Sequence, residues 1–305
     1  MARAEVCAGE MSMARPLLLH SVSYSGSWGQ ASLSLPEFVV RAAELGFDGV
    51  MLGAKRPHMS VLDYGDARLA ELRRTIEAAG LRHVLVAGYT NFTADAEHGE
   101  VPQVEFQIAH VEQLARMAAA LGGRMVRVFT GYDHPALGYG AAWGRLVSAI
   151  RECAARAANY GVMVGVQNHH DMACGWETMH DLIAAIGHAN CKAMYDAWAP
   201  ALHGAHLEES ARKMAGMTIH TTVADYQLRP RYKYQPQLVN YVTATPYVQA
   251  VPMGEGFIDY AGFLRGLGPE VSVAYEMCSP LLHGGNPETL DDYARRFVVY
   301  MKTLD

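Results

Sequence analysis

The sequence lacks several features that would place the protein in a specialised class. No apolar run approaches the roughly 18 residues that a membrane-spanning helix needs. The five cysteines are scattered, odd in number and without a C-x-x-C pair, which argues against a disulfide framework and a structural zinc site. No basic run is longer than a few residues in a chain of net charge −6, so no nucleic-acid surface is expected. The expected location is the cytoplasm, and no membrane partner is expected.

The first residues lack a secretion signal, and the first predicted strand lacks a nucleotide-binding loop. MARAEVCAGEMSMARPLLLH has no basic segment followed by a long apolar stretch. Residues 1–14 are expected to be a disordered extension, and residues 15–305 one domain. After the first apolar run the chain reads HSVSYSGSWGQ, without G-x-G-x-x-G, which disfavours an open nucleotide-binding sheet.

The sequence does contain an eightfold alternation of apolar runs and helical segments. The runs lie at residues 16–22, 47–52, 82–88, 124–131, 162–168, 192–197, 216–223 and 271–277. Between them, apolar residues recur every three or four positions, and several segments end in glycine, as helices often do. This pattern predicts a single-domain (β/α)₈ TIM barrel with a parallel sheet buried on both faces. The long loop after strand seven, residues 224–254, is expected to be functional or to form an interface.

Potential metal ligands end the last four predicted strands. They are Gln167, Asp196, His220 and Glu276, and catalytic groups of a TIM barrel lie at the carboxyl ends of its strands. Two carboxylates, an imidazole and an amide oxygen suit one divalent ion, Mn²⁺ first, with Mg²⁺, Co²⁺ or Zn²⁺ as alternatives. A single strand-end Asp or His more often caps a loop or a helix. Four on consecutive strands predict one metal site.

Five segments carry a family resemblance: AAELGFDGV, AMYDAW, TIHTTVAD, MGEGFIDYAGFLRGL and VAYEM. In this order they resemble the xylose isomerase-like TIM barrels of the sugar phosphate isomerase/epimerase superfamily, which includes ketose 3-epimerases, inosose dehydratases and hydroxypyruvate isomerases. The resemblance implies that Asp196, His220 and Glu276 bind one divalent metal. It also implies an isomerase or epimerase that removes a proton next to a metal-chelated carbonyl or hydroxyl of a sugar or keto-sugar.

Two positions depart from that family. Gln167 stands where most relatives place glutamate, and Met51 stands where another acid is usual. A glutamine amide can coordinate a metal through its oxygen, but it cannot accept a proton near neutral pH. The candidate bases are therefore His169, which faces the same side of the strand as Gln167, and Glu276. His169 could equally well only hydrogen-bond a neighbouring loop.

The sequence gives several candidates for substrate binding and leaves other functions open. Candidates for substrate binding are His58, His134, Trp198, Tyr24 and Arg229, each of which could instead serve ordinary packing. One alternative is a lyase, either a dehydratase or the catalytic subunit of a 3-keto-C-glycoside deglycosidase. Another is a non-catalytic binding or scaffold barrel. The expected partners are a carbohydrate substrate and either further copies of this chain or a small second subunit.

Overall fold

The computed structural model describes residues 15–96, 98–169, 171–278 and 281–304, so the expectation for residues 1–14 lies outside the described residues. The strands are β1 (Leu17–His20), β2 (Gly49–Gly53), β3 (His83–Ala87), β4 (Met125–Phe129), β5 (Met163–Gln167), β6 (Cys191–Met194), β7 (His220–Val223), β8 (Asp225–Gln235), β9 (Asn240–Val251) and β10 (Ser272–Tyr275). The helices are α1 (Leu35–Glu44), α2 (Asp66–Ala78), α3 (Gln103–Ala120), α4 (Tyr139–Ala158), α5 (Trp176–Ile186), α6 (Trp198–Leu202), α7 (Leu207–Met214), α8 (Tyr260–Leu267) and α9 (Pro287–Met301).

Eight of these strands form one parallel sheet in the order β6-β5-β4-β3-β2-β1-β10-β7. The two edge strands, β6 and β7, are joined by a bridge between Ala193 and Thr218, which nearly closes the sheet into a barrel. Each of the eight strands overlaps one of the predicted apolar runs. The predicted single-domain TIM barrel is confirmed, because helices separate the strands and cover the outside of the sheet.

Local signals in the sequence set the ends of several helices. Ser34 and Glu37 form a capping box at the start of α1, since each side chain satisfies a backbone N–H group that the first turn leaves unpaired. The Asn286 side chain accepts a hydrogen bond from the backbone of Thr289 at the start of α9. Gly187 ends α5 in a left-handed conformation with φ of 59°, which glycine adopts without steric cost.

Two apolar cores fill the barrel. The larger core lies between the sheet and the helices. The smaller one consists of Leu18, Met51, Leu85, Ala87, Met194 and Ala274, with Met125 packed against them. Met51, where an acid is usual in the family, is therefore a fully buried core residue. Several members pair in register with polar residues, such as Ala87 with Arg127 and Met194 with Gln167.

The long loop expected after β7 is folded into two strands. It forms an antiparallel hairpin of β8 and β9, called the arm below. Its outer part exposes large apolar side chains, among them Tyr232 and Tyr241, each 66% exposed, and Val239, 78% exposed. Residues 226–250 contain three cationic side chains and no carboxylate. Alternating apolar and β-branched residues explain why the segment forms strands.

A buried carboxylate fastens the base of the arm to the barrel. Asp225, 1% exposed, accepts hydrogen bonds of 2.9 Å from the backbone N–H groups of Tyr226, Gly254 and Gly256. Burial raises the pKa of Asp225, although these N–H groups act in the opposite direction. The glycines of the MGEGF segment thus hold the point where the arm returns to the barrel.

None of the described helices is both long and apolar enough to cross a membrane. Cys153, Cys174, Cys191 and Cys278 are free thiols.

Candidate active site

A cavity of about 60 Å³ opens at the carboxyl ends of β5, β6, β7 and β10. It is lined by Gln167, His169, Asp196, Trp198, Thr222, Val223, Ala224, Tyr226, Tyr260, Glu276 and Cys278. Five of the side chains that the sequence singled out are in this set. The barrel places them together because parallel strands end at the same rim. This mouth cavity has room for an ion and a few ligand atoms.

Asp196 is the most enclosed acid of the mouth cavity. Its Oδ1 accepts hydrogen bonds from the backbone N–H of Thr222 at 2.8 Å and from the Thr221 hydroxyl at 3.2 Å. Asn168 brackets its backbone, accepting from the Asp196 N–H at 2.6 Å and donating to the Asp196 carbonyl at 3.0 Å. Burial raises the pKa of Asp196 to about 7, against the lowering effect of these hydrogen bonds. The carboxylate is thus fixed in position and poorly solvated.

Gln167 ends β5 directly beside Asp196. Its Nε2 donates a hydrogen bond to Asp196 Oδ2. The other amide atom, Oε1, is buried and has no hydrogen-bond partner within the described residues. A buried polar atom without a partner costs about 1–3 kcal/mol, so the amide oxygen is poised for a ligand that enters the mouth cavity.

Glu276 follows β10 and lies between the Cys278 thiol and the His20 ring. Its Oε1 accepts a hydrogen bond of 3.0 Å from the Cys278 thiol, and burial together with the Glu276 charge raises the pKa of that thiol, which keeps it protonated. On the other side, Glu276 Oε2 lies 3.9 Å from His20 Nε2. With a side chain that is 19% exposed, Glu276 remains accessible from the mouth cavity.

His20 presents a neutral imidazole to Glu276. Its Nδ1 accepts a hydrogen bond from the Val22 N–H at 3.0 Å, so the proton of the neutral ring lies on Nε2, facing the carboxylate. Burial, and then the positive charge of Arg127, lowers the pKa of His20 well below its ordinary value. The neutral ring faces Glu276 at 3.9 Å, beyond hydrogen-bond distance, and its Nε2 has no hydrogen-bond partner among the described residues.

We expect the substitution His20→Leu to lower kcat about tenfold and to leave KM nearly unchanged, if the Nε2–H group now 3.9 Å from Glu276 closes to hydrogen-bond distance only in the transition state. One such hydrogen bond is worth about 1–1.5 kcal/mol. His20→Gln, which keeps a donor, should restore most of the loss. Steady-state kinetics of both variants with a turnover substrate would measure this. Equal kcat values for the two would show that His20 only packs.

His220 is not among the residues that line the mouth cavity, but its Nε2 is buried without a hydrogen-bond partner among the described residues. It is the first residue of β7, pairs with Ser272 at the start of β10, and is fully buried. Its Nδ1 lies 2.7 Å from the Ser272 hydroxyl. Burial, followed by the charges of His20 and Arg127, lowers the pKa of His220 to about 3.

Thr222 occupies the place that the sequence assigned to His220. It faces the same side of β7 two residues further on, lines the mouth cavity and is 6% exposed. Its hydroxyl oxygen is buried without a hydrogen-bond partner among the described residues. In the described part of the chain, no three His, Cys, Asp or Glu side chains are grouped so that they could hold a metal ion.

A buried cation lies across the barrel from the acids. Arg127, 1% exposed, donates two hydrogen bonds to the Gly88 carbonyl, at 3.2 and 3.3 Å. Its guanidinium carbon lies 4.2 Å from the centre of the Phe129 ring and 4.9 Å from that of Tyr89. No carboxylate of the described residues lies within 4 Å of it. This side of the interior is positive, whereas the side of Asp196 and Glu276 is negative.

The remaining predicted substrate contacts divide into two groups. Trp198 lines the mouth cavity, and its ring centre lies 4.3 Å from that of Tyr226. His58, Tyr24, Arg229 and His134 do not line it. The ring nitrogens of His58 lie 3.0 Å from the Ser21 hydroxyl and 3.1 Å from a backbone carbonyl.

The others are also held elsewhere in the fold. Tyr24 donates to Asp291 at 2.8 Å and is 1% exposed. Arg229 donates to Gln249 across the arm at 2.7 Å. His134 accepts from the Ala136 N–H at 3.2 Å. These contacts favour structural roles for the four residues, because each satisfies a polar group of the protein itself.

His169 lines the mouth cavity as the sequence predicted and is exposed. Its ring centre lies 4.6 Å from that of Phe129. Sequence reasoning passed over Thr222, Tyr226 and Cys278, which lie near predicted strand ends but carry no signal of their own. His20 was identifiable as a strand-end residue, but nothing indicated that it faces Glu276.

Comparisons with known proteins agree with this architecture. Residues 39–288 match the family described as xylose isomerase-like TIM barrel. Among solved structures, the D-psicose 3-epimerase with D-tagatose from Clostridium cellulolyticum H10 is 15% identical, with a TM-score of 0.72 over 95% of this chain and 99% of that chain. An L-ribulose 3-epimerase is 16% identical, with a TM-score of 0.69 over 96% and 94%.

A third similar structure is the probable 3-DHS dehydratase of petrobactin synthesis from Bacillus anthracis. It is 17% identical, with a TM-score of 0.70 over 93% of this chain and 98% of that chain. No curated protein matches the sequence closely enough to count as a relative. At these identities the structural likeness is one of fold.

Proposed function

Since the chain belongs to the family of xylose isomerase-like TIM barrels, we propose that it is an enzyme of the isomerase or epimerase type that acts on a sugar or keto-sugar. The observation that carries this proposal is the convergence of Asp196, Glu276 and His169 on one cavity at the catalytic end of the barrel. Three similar folds, two ketose epimerases and a dehydratase, support it.

A divalent metal ion fits the mouth cavity if its ligands are oxygen atoms. Asp196 and Glu276 provide two negative charges, and the unpartnered Oε1 of Gln167 provides a neutral oxygen. We propose Mn²⁺, with Mg²⁺, Co²⁺ and Zn²⁺ as the alternatives. When bound, such an ion supplies Lewis-acid polarisation of a substrate carbonyl, which acidifies the neighbouring C–H bond.

Glu276 takes the proton from the substrate carbon in this proposal. It is partly exposed to the mouth cavity, and the Cys278 thiol holds one of its oxygens by a hydrogen bond. A base that is already oriented loses little entropy when the substrate arrives. His169, which lines the same cavity, would exchange a proton with a substrate hydroxyl or with the second face of the carbon.

A lyase reaction is the second candidate, and Gln167 is the observation that favours it. In this position a carboxylate could take a proton from the opposite face of the carbon, but an amide cannot. An elimination needs a single base on carbon and an acid for the leaving hydroxyl or aglycone. Glu276 and His169 would fill these two roles, and Trp198 with Tyr226 would pack against an aglycone.

Exchange of substrate hydrogen with solvent would test the proposal. We expect the metal-supplemented protein, incubated in D₂O with separate ketoses, inososes and 3-keto-glycosides, to place deuterium at a single carbon of at least one compound. NMR would identify that carbon, and the product would distinguish isomerisation from elimination. Absence of both exchange and product across the panel would favour a non-catalytic barrel.

A further inference from the structure

We propose that the arm docks on a second copy of this chain, against the surface formed by the segments that follow β3 and β4. That surface, called the acidic face below, consists of Glu100, Glu105, Phe106, Tyr132 and Tyr139, all of which are exposed. A two-fold axis would make the contact twice, so that the assembly is a closed dimer. The inference stands on these two surfaces and does not depend on the proposed function.

The outer part of the arm has the composition of an interface on both of its sides. Register across the hairpin places Tyr232, Tyr234 and Tyr241 on one side, and the rings of the last two lie 5.3 Å apart. Arg231 and Lys233 alternate with these tyrosines and lie on the other side. All five side chains are exposed. Tyrosine and arginine are enriched where proteins meet, and exposed apolar patches mark such surfaces.

The structure of the arm disfavours pairing with another arm. Pro230 in β8 and Pro246 in β9 lack the backbone N–H that a strand ladder needs, and the register shifts between Arg229 and Arg231. Prolines and bulges are typical of edge strands that do not accept a further strand. The three cationic side chains of residues 226–250, with no carboxylate among them, would also repel a second arm. The arm therefore fits an acidic surface of another kind.

The rest of the chain offers such a surface. The whole chain has a net charge of −6 and the arm contributes three positive charges, so the remaining residues together carry −9. Residues 83–115 contain five carboxylates and no lysine or arginine. Asp95 and Glu112 pair with arginines of α4. Glu100 and Glu105 are exposed, and no lysine or arginine in the described part of the chain forms an ion pair with either.

Exposed aromatic rings complete the acidic face. Phe106 begins the outer turn of α3, Tyr132 follows β4, and Tyr139 begins α4, and all three are exposed. β3 and β4 are neighbours in the sheet, and the Thr93 hydroxyl donates a hydrogen bond of 2.9 Å to the Tyr132 carbonyl. The two loops therefore form one surface. Its carboxylates and rings are the counterparts of the cations and tyrosines of the arm.

The barrel places the arm and the acidic face on opposite sides of the mouth. Around the closed sheet, β7 is three strands from β4 and four from β3. A two-fold axis perpendicular to the barrel axis turns a second copy so that the two mouths face each other. The arm of each copy then meets the acidic face of the other, because the rotation exchanges the two sides. Both contacts form together, as expected of a self-complementary interface.

Sedimentation velocity of the full chain would test the proposal. We expect the chain at about 10 µM, above the dissociation constants usual for interfaces of standard size, to sediment as a dimer. The double substitution Arg231→Glu with Lys233→Glu should raise the dissociation constant on the order of 100-fold or more, since like charges then face each other in both contacts. Glu100→Lys with Glu105→Lys should have the same effect from the other side.

A mixture of these two double variants gives the decisive result. In the mixed dimer, the reversed arm meets the reversed face and the original arm meets the original face, so every facing pair again has opposite charges. We expect the mixture to form dimers with nearly the affinity of the original chain, although each variant alone is a monomer. A folding defect in either variant would not be repaired by mixing.

A matched control reverses two exposed charges outside both surfaces. Arg74→Glu with Lys302→Glu should remain a dimer. The proposal is overturned if the original chain sediments as anything other than a dimer, if either charge-reversed variant of the arm or the acidic face remains a dimer, or if their mixture stays monomeric.

Discussion

The substitution Glu276→Gln is expected to lower kcat by a factor of about 10²–10⁴, the usual contribution of a positioned general base. The amide keeps the size of the side chain and an oxygen for the metal, but it cannot take a proton from carbon. The Cys278 thiol can still donate to that oxygen, so the site should remain folded. Deuterium incorporation from D₂O measures the proton-transfer step directly.

A Glu→Gln substitution outside the mouth cavity serves as the control, because it shows whether the loss of exchange is specific to Glu276. Glu270 is exposed, precedes β10 at the end opposite to Glu276, and does not line the mouth cavity, so Glu270→Gln should exchange at the original rate. Circular dichroism of Glu276→Gln should match that of the original chain. If Glu276→Gln keeps more than about a third of the exchange rate, another residue is the base, and His169 is then the next to test.

The substitution Gly256→Ala is expected to lower the free energy of unfolding by about 3 kcal/mol, because overpacking and a disturbed buried carboxylate act together. A Cβ atom at this position would lie 1.9 Å from Asp225 Oδ1 and 2.6 Å from the Tyr226 nitrogen. Neither group can retreat, since Asp225 is held by hydrogen bonds to backbone N–H groups. Urea unfolding followed by tryptophan fluorescence measures the change.

A Gly→Ala substitution in α4 should instead raise the free energy of unfolding. Gly144 lies within α4, is exposed, and a Cβ there would meet nothing within 4 Å. Gly144→Ala should stabilise the protein by about 0.5–1 kcal/mol, the difference in helix propensity between the two residues. Similar destabilisation by both substitutions would contradict the role assigned to the Asp225 cradle.

The sequence predicted the barrel because each strand is buried on both faces and therefore reads as a continuous apolar run. The same pattern does not show where a strand begins, because an apolar residue just before a strand cannot be distinguished from the strand itself. This error matters at β7, where two residues decide whether Thr222 or His220 faces the mouth cavity. Register is a property of the pairing with β10, which a single strand does not encode.

The candidate site was predictable where one residue type carries the chemistry. Asp196 and Glu276 each place a charged group at the end of an otherwise apolar strand. A charged residue in such a position can be recognised from the sequence alone. Partnerships such as that of His20 with Glu276 depend on strands at opposite ends of the chain. Arg127 illustrates the same limit, because room for it depends on the small residues Ala87 and Gly165 at its paired positions.

One residue belongs both to the arm and to the mouth cavity. Tyr226 follows the anchored Asp225, lies in β8, and packs its ring against Trp198 at the cavity wall. A molecule that holds the arm in one position would therefore also fix one wall of the substrate pocket. Because the coupling between two binding sites is reciprocal, substrate in the pocket would raise the affinity of that molecule for the arm by the same factor. The hairpin, fixed at its base by the buried Asp225 carboxylate, would thus couple binding at the arm to binding in the substrate pocket.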